Sequence, residues 1–508
     1  GRFRSAMLEK YYEEIKQNVN VRENLSLLRG LVKEEEARTR LLNLVGDGSF
    51  LVALLEHEEP KVRKNAALLL GDLGLQAAAG ALFCAYEKEQ TLFVRSSYLS
   101  ALGKLDAAEY LARLKTCRDK LTEREIPLNE RKHADEELRE LEKIIAGIEG
   151  IRPHTFVGFE KEQKLLLTTN KEQRSVTVEE TEALPAEVER SVREHPLGVL
   201  VCTRSVKPFT RLRTYRELLF PLSGHLTADP KQAAEAVCAS GLPQLLEECH
   251  KEEAPFYFRI ELKGRMDLKE KSVYTKRMAA ELERLSGRRL RNSTQHYEVE
   301  LRLVEKKDGG FAAFYKLFTI PMRRFAYRKH AIAASIHPAL AAMLMQLAKP
   351  YLKEDARILD PFCGVGTMLI ERDICVPAHE KYGVDIFGDA IRMARENAAA
   401  AGEQIYFINR DYFDFTHRHK FDEIITNMPV RSAARAGAKS KEEMDAFYQK
   451  FFDRSAGLLE SGGMMILYGN EQGFVKKQLR LRDDYRLLRE HVIRQKDRFH
   501  LFLIQYCP

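Results

Sequence analysis

The chain has 508 residues and a formal net charge of +7 at pH 7, enough length for about three domains of roughly 150 residues each. Its 44% hydrophobic content can build packed cores, yet it has neither a membrane-spanning apolar run nor, at Gly-Arg-Phe-Arg-Ser, the apolar core of a signal peptide. The 8 cysteines form no Cys-x-x-Cys pair, which argues against zinc or iron–sulfur sites and for free thiols in the cytoplasm; no metal is expected.

Residues 1–150 contain an internal repeat. Val62–Gly74 aligns with Val94–Asp106 and with Val21–Lys33. Each copy opens on Val-Arg, places apolar residues at helical spacing and ends near a glycine. Helices over Phe50–His57 and Gly80–Lys88 precede the later two copies, with Pro60 in the loop between a pair. Ala107–Cys117 and Glu130–Ile148 read as a closing, atypical repeat. The pattern resembles HEAT-like α-solenoid repeats, in which Val would enter the core and Arg would brace the neighbouring unit. The resemblance implies an all-α solenoid, either architectural or with a surface for a protein partner or RNA.

The periodicity changes over 151–330. Thr155–Phe159, Lys164–Thr168, Ser175–Glu179, Gly198–Arg204, Phe256–Lys263, Tyr297–Val304 and Phe311–Ile320 read as strands. Leu184–Glu194, Pro230–Leu246 and Leu268–Leu285 read as helical. Two runs lack any acid: 201–216, with Arg204, Lys207, Arg211, Arg213 and Arg216, and 321–330, Pro-Met-Arg-Arg-Phe-Ala-Tyr-Arg-Lys-His. Cations interleaved with aromatics suit a phosphate-binding surface. Phe258–Gly264, Tyr274–Leu282 and Asn292–Leu301 together resemble the THUMP domain, an RNA-binding module of tRNA- and rRNA-modifying enzymes, and 151–222 resembles the ferredoxin-like half that accompanies it. That resemblance implies phosphate contacts from Lys276, Arg277, Arg288, Arg289 and Arg291, at the acceptor end of a tRNA. A generic α+β linker domain is the alternative.

Over 331–508 strands and helices alternate. A helix over His337–Leu352 leads to a buried strand, Arg357–Asp360, a tight turn, Pro361–Gly366, and a helix from Thr367. Gly364 and Gly366 let the backbone approach a ligand at a helix N-terminus. The turn lacks the Gly-Lys-Ser/Thr ending of a phosphate loop and the third glycine of a dinucleotide fingerprint. Asp360 repels phosphate and suits a cationic ammonium. Asp-Pro-Phe-Cys-Gly-Val-Gly-Thr, 360–367, resembles motif I of S-adenosylmethionine-dependent methyltransferases, in particular those acting on nucleic-acid amino groups.

The resemblance implies a doubly wound, seven-stranded α/β sheet with S-adenosyl-L-methionine as cofactor. It places Asp360, Phe362, Cys363, Gly364, Gly366 and Thr367 around that cofactor. Asp385 and Ile386, after the strand Tyr382–Ile386, would meet the ribose; Asp411, after Gln404–Asn409, would meet the adenine amino group. The strand Phe421–Thr426 delivers Asn427-Met428-Pro429-Val430, which matches the family's Asn/Asp-x-Pro-aromatic turn. Asn427 would also touch the cofactor. The Asn427 side chain and the next carbonyl would accept the two N–H bonds of an exocyclic amine, while Pro429 stiffens the turn. An aromatic normally follows and stacks on the base; here Val430 stands in its place. Arg431 is an additional cation that could grip RNA, and Ser335 and His337 could line the site. Lys441–Leu459 reads as a helix, Gly462–Tyr468 as the fifth strand, and Tyr485–Gln495 with Phe499–Tyr506 as a final antiparallel pair.

Together these readings predict a multidomain, cytoplasmic RNA methyltransferase that forms N2-methylguanosine in tRNA, with a helical repeat at 1–150, a ferredoxin-like plus THUMP-like region with a linker hairpin at 151–330 and the methyltransferase domain at 331–508. The alternatives are an amino-methyltransferase acting on rRNA, DNA or protein, and a non-catalytic RNA-binding or scaffold protein with a degenerate catalytic turn.

Overall fold

The computed structural model describes residues 2–150, 153–430 and 439–508. It divides into two compact units, Gly1–Pro153 with Asn292–Tyr297, and His154–Arg291 with Glu298–Pro508. Among the described residues no helix is long and apolar enough to cross a membrane.

The first unit is a stack of helices. The repeated segments lie in helices Val21–Leu31, Pro60–Asp72 and Leu92–Leu102, which pack in succession. Val62 and Val94 are fully buried. Arg63 grips Glu89 through two bonds of 2.8 and 3.0 Å, and Arg95 reaches Glu137 at 2.9 Å, so in these two copies the Val-Arg pair is a core residue followed by a brace. Arg22 of the first copy is exposed. In the middle copy the glycine also acts physically, whereas Gly30 of the first copy faces open space. A Cβ on Gly71 of that middle copy would stand 2.7 Å from the Ala101 Cα, so its absence lets two helix backbones touch.

In the second unit, the first eight strands are β1 (Gln163–Thr168), β2 (Arg190–His195), β3 (Gly198–Thr203), β4 (Leu218–Pro221), β5 (Phe256–Lys263), β6 (Leu290–Asn292), β7 (Val299–Glu305) and β8 (Phe311–Leu317). They form one sheet in the order β2-β3-β1-β4-β8-β7-β5-β6.

Three local expectations fail here. Ser175–Glu179 is part of a helix, Arg174–Glu182. Its β-branched alternation imitates a strand, but Val176, Thr177 and Thr181 are all buried, and the Thr177 hydroxyl meets that of Thr214 at 2.9 Å; tertiary packing overrides local propensity. Leu184–Glu194 is not a helix. The Arg190 guanidinium binds the carbonyls of Glu182, Leu184, Pro185 and Val188 and holds an open connection into β2. Thr155–Phe159 makes only a single bridge, Phe156 with His250, before a tight turn at Gly158–Glu160. The short β4, absent from the sequence reading, pairs with both β1 and β8 and so joins the two halves of the sheet.

The remaining strands are β9 (Arg357–Asp360), β10 (Glu380–Asp385), β11 (Tyr406–Asn409), β12 (Phe421–Asn427), β13 (Leu459–Gly469), β14 (Tyr485–Arg494) and β15 (Phe499–Tyr506). They form a seven-stranded sheet in the order β11-β10-β9-β12-β13-β15-β14, parallel except for β15, which runs antiparallel to both its neighbours. Ile358 and Leu359 are both fully buried, and they belong to separate core clusters. A continuous apolar run is what a strand covered on both faces requires.

The acid-free runs, expected to face phosphate, are partly spent on internal structure. Arg213 forms a two-pronged pair with Glu371 at 2.9 and 2.8 Å, and the Tyr327 hydroxyl donates to the same carboxylate at 2.6 Å. Arg324 donates to the carbonyls of Leu212, Tyr215 and Arg216 at 3.1, 2.6 and 2.7 Å. Glu371 is only 1% exposed, so Arg213→Met would leave a buried carboxylate held by Tyr327 alone. The expected loss is about 3 kcal/mol of unfolding free energy, read from urea denaturation; an unchanged midpoint would contradict the assignment.

Candidate functional site

The sheet order places a reversal between β9 and β12: the chain runs outward from β9 through β10 to β11, then returns to β12 on the other side of β9. The crevice beyond the carboxyl ends of such strands is where open α/β sheets bind ligands. Asp360 closes β9 and Asn427 closes β12, and the two strands are aligned through Leu359 and Ile424.

Asp360 is 1% exposed, and its carboxylate accepts the Phe362 N–H at 3.0 Å. Burial pushes it up to about 7; hydrogen bonds from Thr426 and Phe362 pull it down, and the nearby Asp385 charge adds to the rise. No cation pairs with it among the described residues. A buried acid without a counter-ion is what a cationic ligand needs.

The turn after Asp360 is built to be narrow. Gly364 and Gly366 have φ of 52° and 88°, and a Cβ on Gly366 would stand 3.2 Å from Phe407 Cζ. Asp385 ties the turn down, since its two oxygens accept the N–H groups of Gly364 and Phe387 at 2.9 Å each. Each oxygen keeps a second lone pair for a ligand. The Cys363 N–H donates to Val384 at 3.0 Å, and burial holds its thiol well above the usual range, so it is an unreactive packing group. Thr367 opens the following helix; its hydroxyl is buried with no hydrogen-bond partner among the described residues.

The other expected residues surround this turn. Ile386 and the adjacent Phe387 are 58% and 67% exposed, an apolar pair beside Asp385. Asp411 is exposed and accepts the Phe413 N–H at 3.0 Å; it lies just beyond β11, whose Asn409 is level with Asp385. Asn427 and Pro429 are half-buried, Met428 is 2% exposed, and Val430 is 49% exposed. The Met428 N–H is fixed to the Tyr468 carbonyl at 2.8 Å. Arg431 lies outside the described residues.

Two features escaped the sequence reading. Asn397, fully buried, donates to the carbonyls of Val365 and His330 at 3.1 and 3.0 Å and accepts from the N–H groups of Lys329 and His330 at 2.9 and 3.1 Å. It thus clasps the linker to the cofactor-type turn. Its signal was a lone amide on the alanine-rich face of helix Gly388–Ala400. The second is an aromatic cluster, with Phe362 lying 5.5–5.8 Å from Tyr412, Phe447 and Phe451. These rings come from three separate segments and become neighbours only in the fold.

His337 caps the helix Pro338–Ala348, accepting the Ala339 N–H at 3.1 Å, while Ser335 accepts from the Ile332 N–H at 2.9 Å. Among the expected RNA-contacting cations, Lys276 and Arg277 are exposed on the helix Leu268–Leu285. Arg288 pairs with Glu283 at 3.2 Å, Arg289 grips Glu247 at 3.2 and 2.8 Å, and Arg291 donates to the Arg288 carbonyl at 3.1 Å. These three are at least partly committed to holding the fold.

The comparisons with known proteins fall on the same region. The chain is 31% identical over 157 residues to the tRNA (guanine(10)-N2)-dimethyltransferase of Methanothermobacter thermautotrophicus, a match covering 30% of this chain and 44% of that relative. The chain therefore spans less than half the length of that curated relative. The crystal structure of TrmN from Thermus thermophilus is similar in fold, with a TM-score of 0.50 and 22% identity over 68% of this chain and 100% of that one. Residues 325–497, which carry the whole cradle from Asn397's linker contacts to Asn427, match the family described as RMKL-like, methyltransferase domain.

Proposed function

We propose that the protein is an S-adenosylmethionine-dependent RNA methyltransferase that forms N2-methylguanosine in tRNA. The observation that carries this reading is the pairing of Asp360, a buried acid without a counter-ion among the described residues, with Asn427 at the end of the neighbouring strand across the switch point. The match of 325–497 to a methyltransferase domain and the activity named for the archaeal relative support it.

Bound S-adenosylmethionine supplies an electrophilic methyl group. Asp360 takes its ammonium, Asp385 its ribose hydroxyls and Asp411 its adenine amino group, with Phe362, Cys363, Gly364, Gly366, Thr367 and Ile386 shaping the cradle. The Asn427 side-chain oxygen and the Met428 carbonyl would accept the two N–H bonds of the guanine amine and so orient its lone pair for transfer. Once the amine carries the methyl group, the Asn427 oxygen and the Met428 carbonyl would steady its positive charge through the N–H groups until one proton is released to water. The amine of a paired guanine is not reachable, so the base is flipped out or taken from a loop.

On this reading 1–150 is a HEAT-like repeat that can carry a protein partner, and 151–330 is the ferredoxin-like plus THUMP-like module that presents RNA through Lys276 and Arg277, helped by Arg288, Arg289, Arg291 and Arg431. The setting is the cytoplasm. Val430 favours one rival, a non-catalytic RNA-binding protein, because no aromatic follows the Asn427 turn. The test is transfer of a labelled methyl group to tRNA, rRNA, DNA and protein compared side by side. Label in tRNA is the expected result; label confined to DNA or protein, or none, overturns it.

A further inference from the structure

A second concavity shares no lining residue with the cofactor-type turn. It holds about 460 Å³ and is lined by Arg216, Lys316, Phe318, Met322, Arg324 and His337, among others. Its acid, Glu217, is neutralised internally, accepting from Arg302 at 2.7 and 2.9 Å and from Lys316 at 3.2 Å. Arg216 is exposed, and its side chain has no hydrogen-bond or ion-pair partner among the described residues. Phe318 and Met322 are 45% and 38% exposed, which adds apolar surface beside the cations.

The field in this trench is positive. His337 is pushed down to about 4, first by burial and then by the charges of Arg216, Arg328 and Arg324. Its Nδ1 accepts the Ala339 N–H, so the neutral ring carries its proton on Nε2 as a donor. The trench is joined along the chain to the methyl-transfer site. The linker leaves it at Arg324–Ala326 and reaches Lys329 and His330, whose N–H groups are held by the same Asn397 that binds the Val365 carbonyl of the cofactor turn.

We propose that this trench binds the single-stranded RNA backbone beside the target nucleotide, with Arg216 as its phosphate anchor. The proposal rests on the RNA-methyltransferase reading. A positive concavity with apolar side chains suits a polyanion whose flat bases need somewhere to lie. Arg216 acts here as a positioning residue and touches no reacting atom.

The test compares the full-length wild type with Arg216→Glu, the conservative Arg216→Lys, and Arg418→Glu, an exposed charge reversal just before the amino end of β12. The probe is a pool of unmodified tRNA transcripts, with binding followed across a salt series. Arg216→Glu should raise the RNA Kd about tenfold and lower the slope of log affinity against log salt by about 1. KM for tRNA should rise with kcat little changed, and affinity for S-adenosylhomocysteine should stay the same. Arg216→Lys should restore most of the binding, and Arg418→Glu should bind as the wild type does. An unchanged Kd and salt slope in Arg216→Glu, in a protein whose wild type methylates tRNA, overturns the trench alone. Arg216-dependent RNA binding without any methyl transfer by the wild type supports the trench and overturns the catalytic reading.

Discussion

Asn427→Ala should lower methyl transfer by about 10²–10³-fold in kcat, the scale of losing one preorganised polar contact to developing charge. S-adenosylhomocysteine should still bind. The asymmetry follows from the strand geometry. The cofactor's positive group is assigned to Asp360 and its ribose to Asp385, both on other strands. On the proposed reading Asn427 instead supplies the acceptor that aligns the amine. The Met428 carbonyl remains after the substitution, because the adjacent N–H is pinned to Tyr468 and the Met428 side chain is buried. Single-turnover assays with saturating cofactor read the effect directly. Transfer at the wild-type rate would remove Asn427 from the chemistry.

Asp360→Asn should have opposite effects on binding and on stability. A carboxyl whose ordinary value is 3.8 is held at about 7 in the folded protein. Between those values the folded state keeps a proton that the unfolded state has released, so stability falls as pH rises through this window and the full penalty stands above about pH 7. The penalty amounts to roughly a few kcal/mol. Asparagine retains an acceptor for the Phe362 N–H and carries no charge. The ligand-free variant should therefore melt higher than the wild type at pH 8, with the difference vanishing near pH 4. Cofactor affinity behaves in the reverse sense. The ionised carboxylate is the form that attracts an ammonium, so wild-type affinity should rise between pH 6 and pH 8, whereas Asp360→Asn should bind weakly at both. Calorimetric titration and thermal unfolding across pH separate the two effects. Tight, pH-independent binding by the variant would contradict the assignment.

Much of the candidate site was legible in the sequence because it depends on local order. A strand, a tight turn and a helix occur together in 357–375, and once β10 and β11 are read from periodicity the family resemblance points to Asp385 at the end of the one and Asp411 just beyond the other. Asn397 was not legible, since its four partners come from the linker and the turn, both distant in sequence. The charged runs illustrate the same gap. Arg213 and Arg324 looked like surface cations, but Glu371 and three backbone carbonyls claim them. Composition records that a cation is present and cannot record what faces it. In the eight-stranded sheet the errors have separate local causes. Segment 174–182 has β-branched residues but a helical burial pattern, and β4 is too short to show a period.

The cradle at Asp360 and Asn427 is proposed to methylate the exocyclic amine of guanine in tRNA. Nucleoside analysis of tRNA treated with the wild-type protein and labelled S-adenosylmethionine tests it most directly. N2-methylguanosine carrying the label, and its loss with Asn427→Ala, is the predicted result. Label appearing in another nucleoside, or none in tRNA, would contradict it.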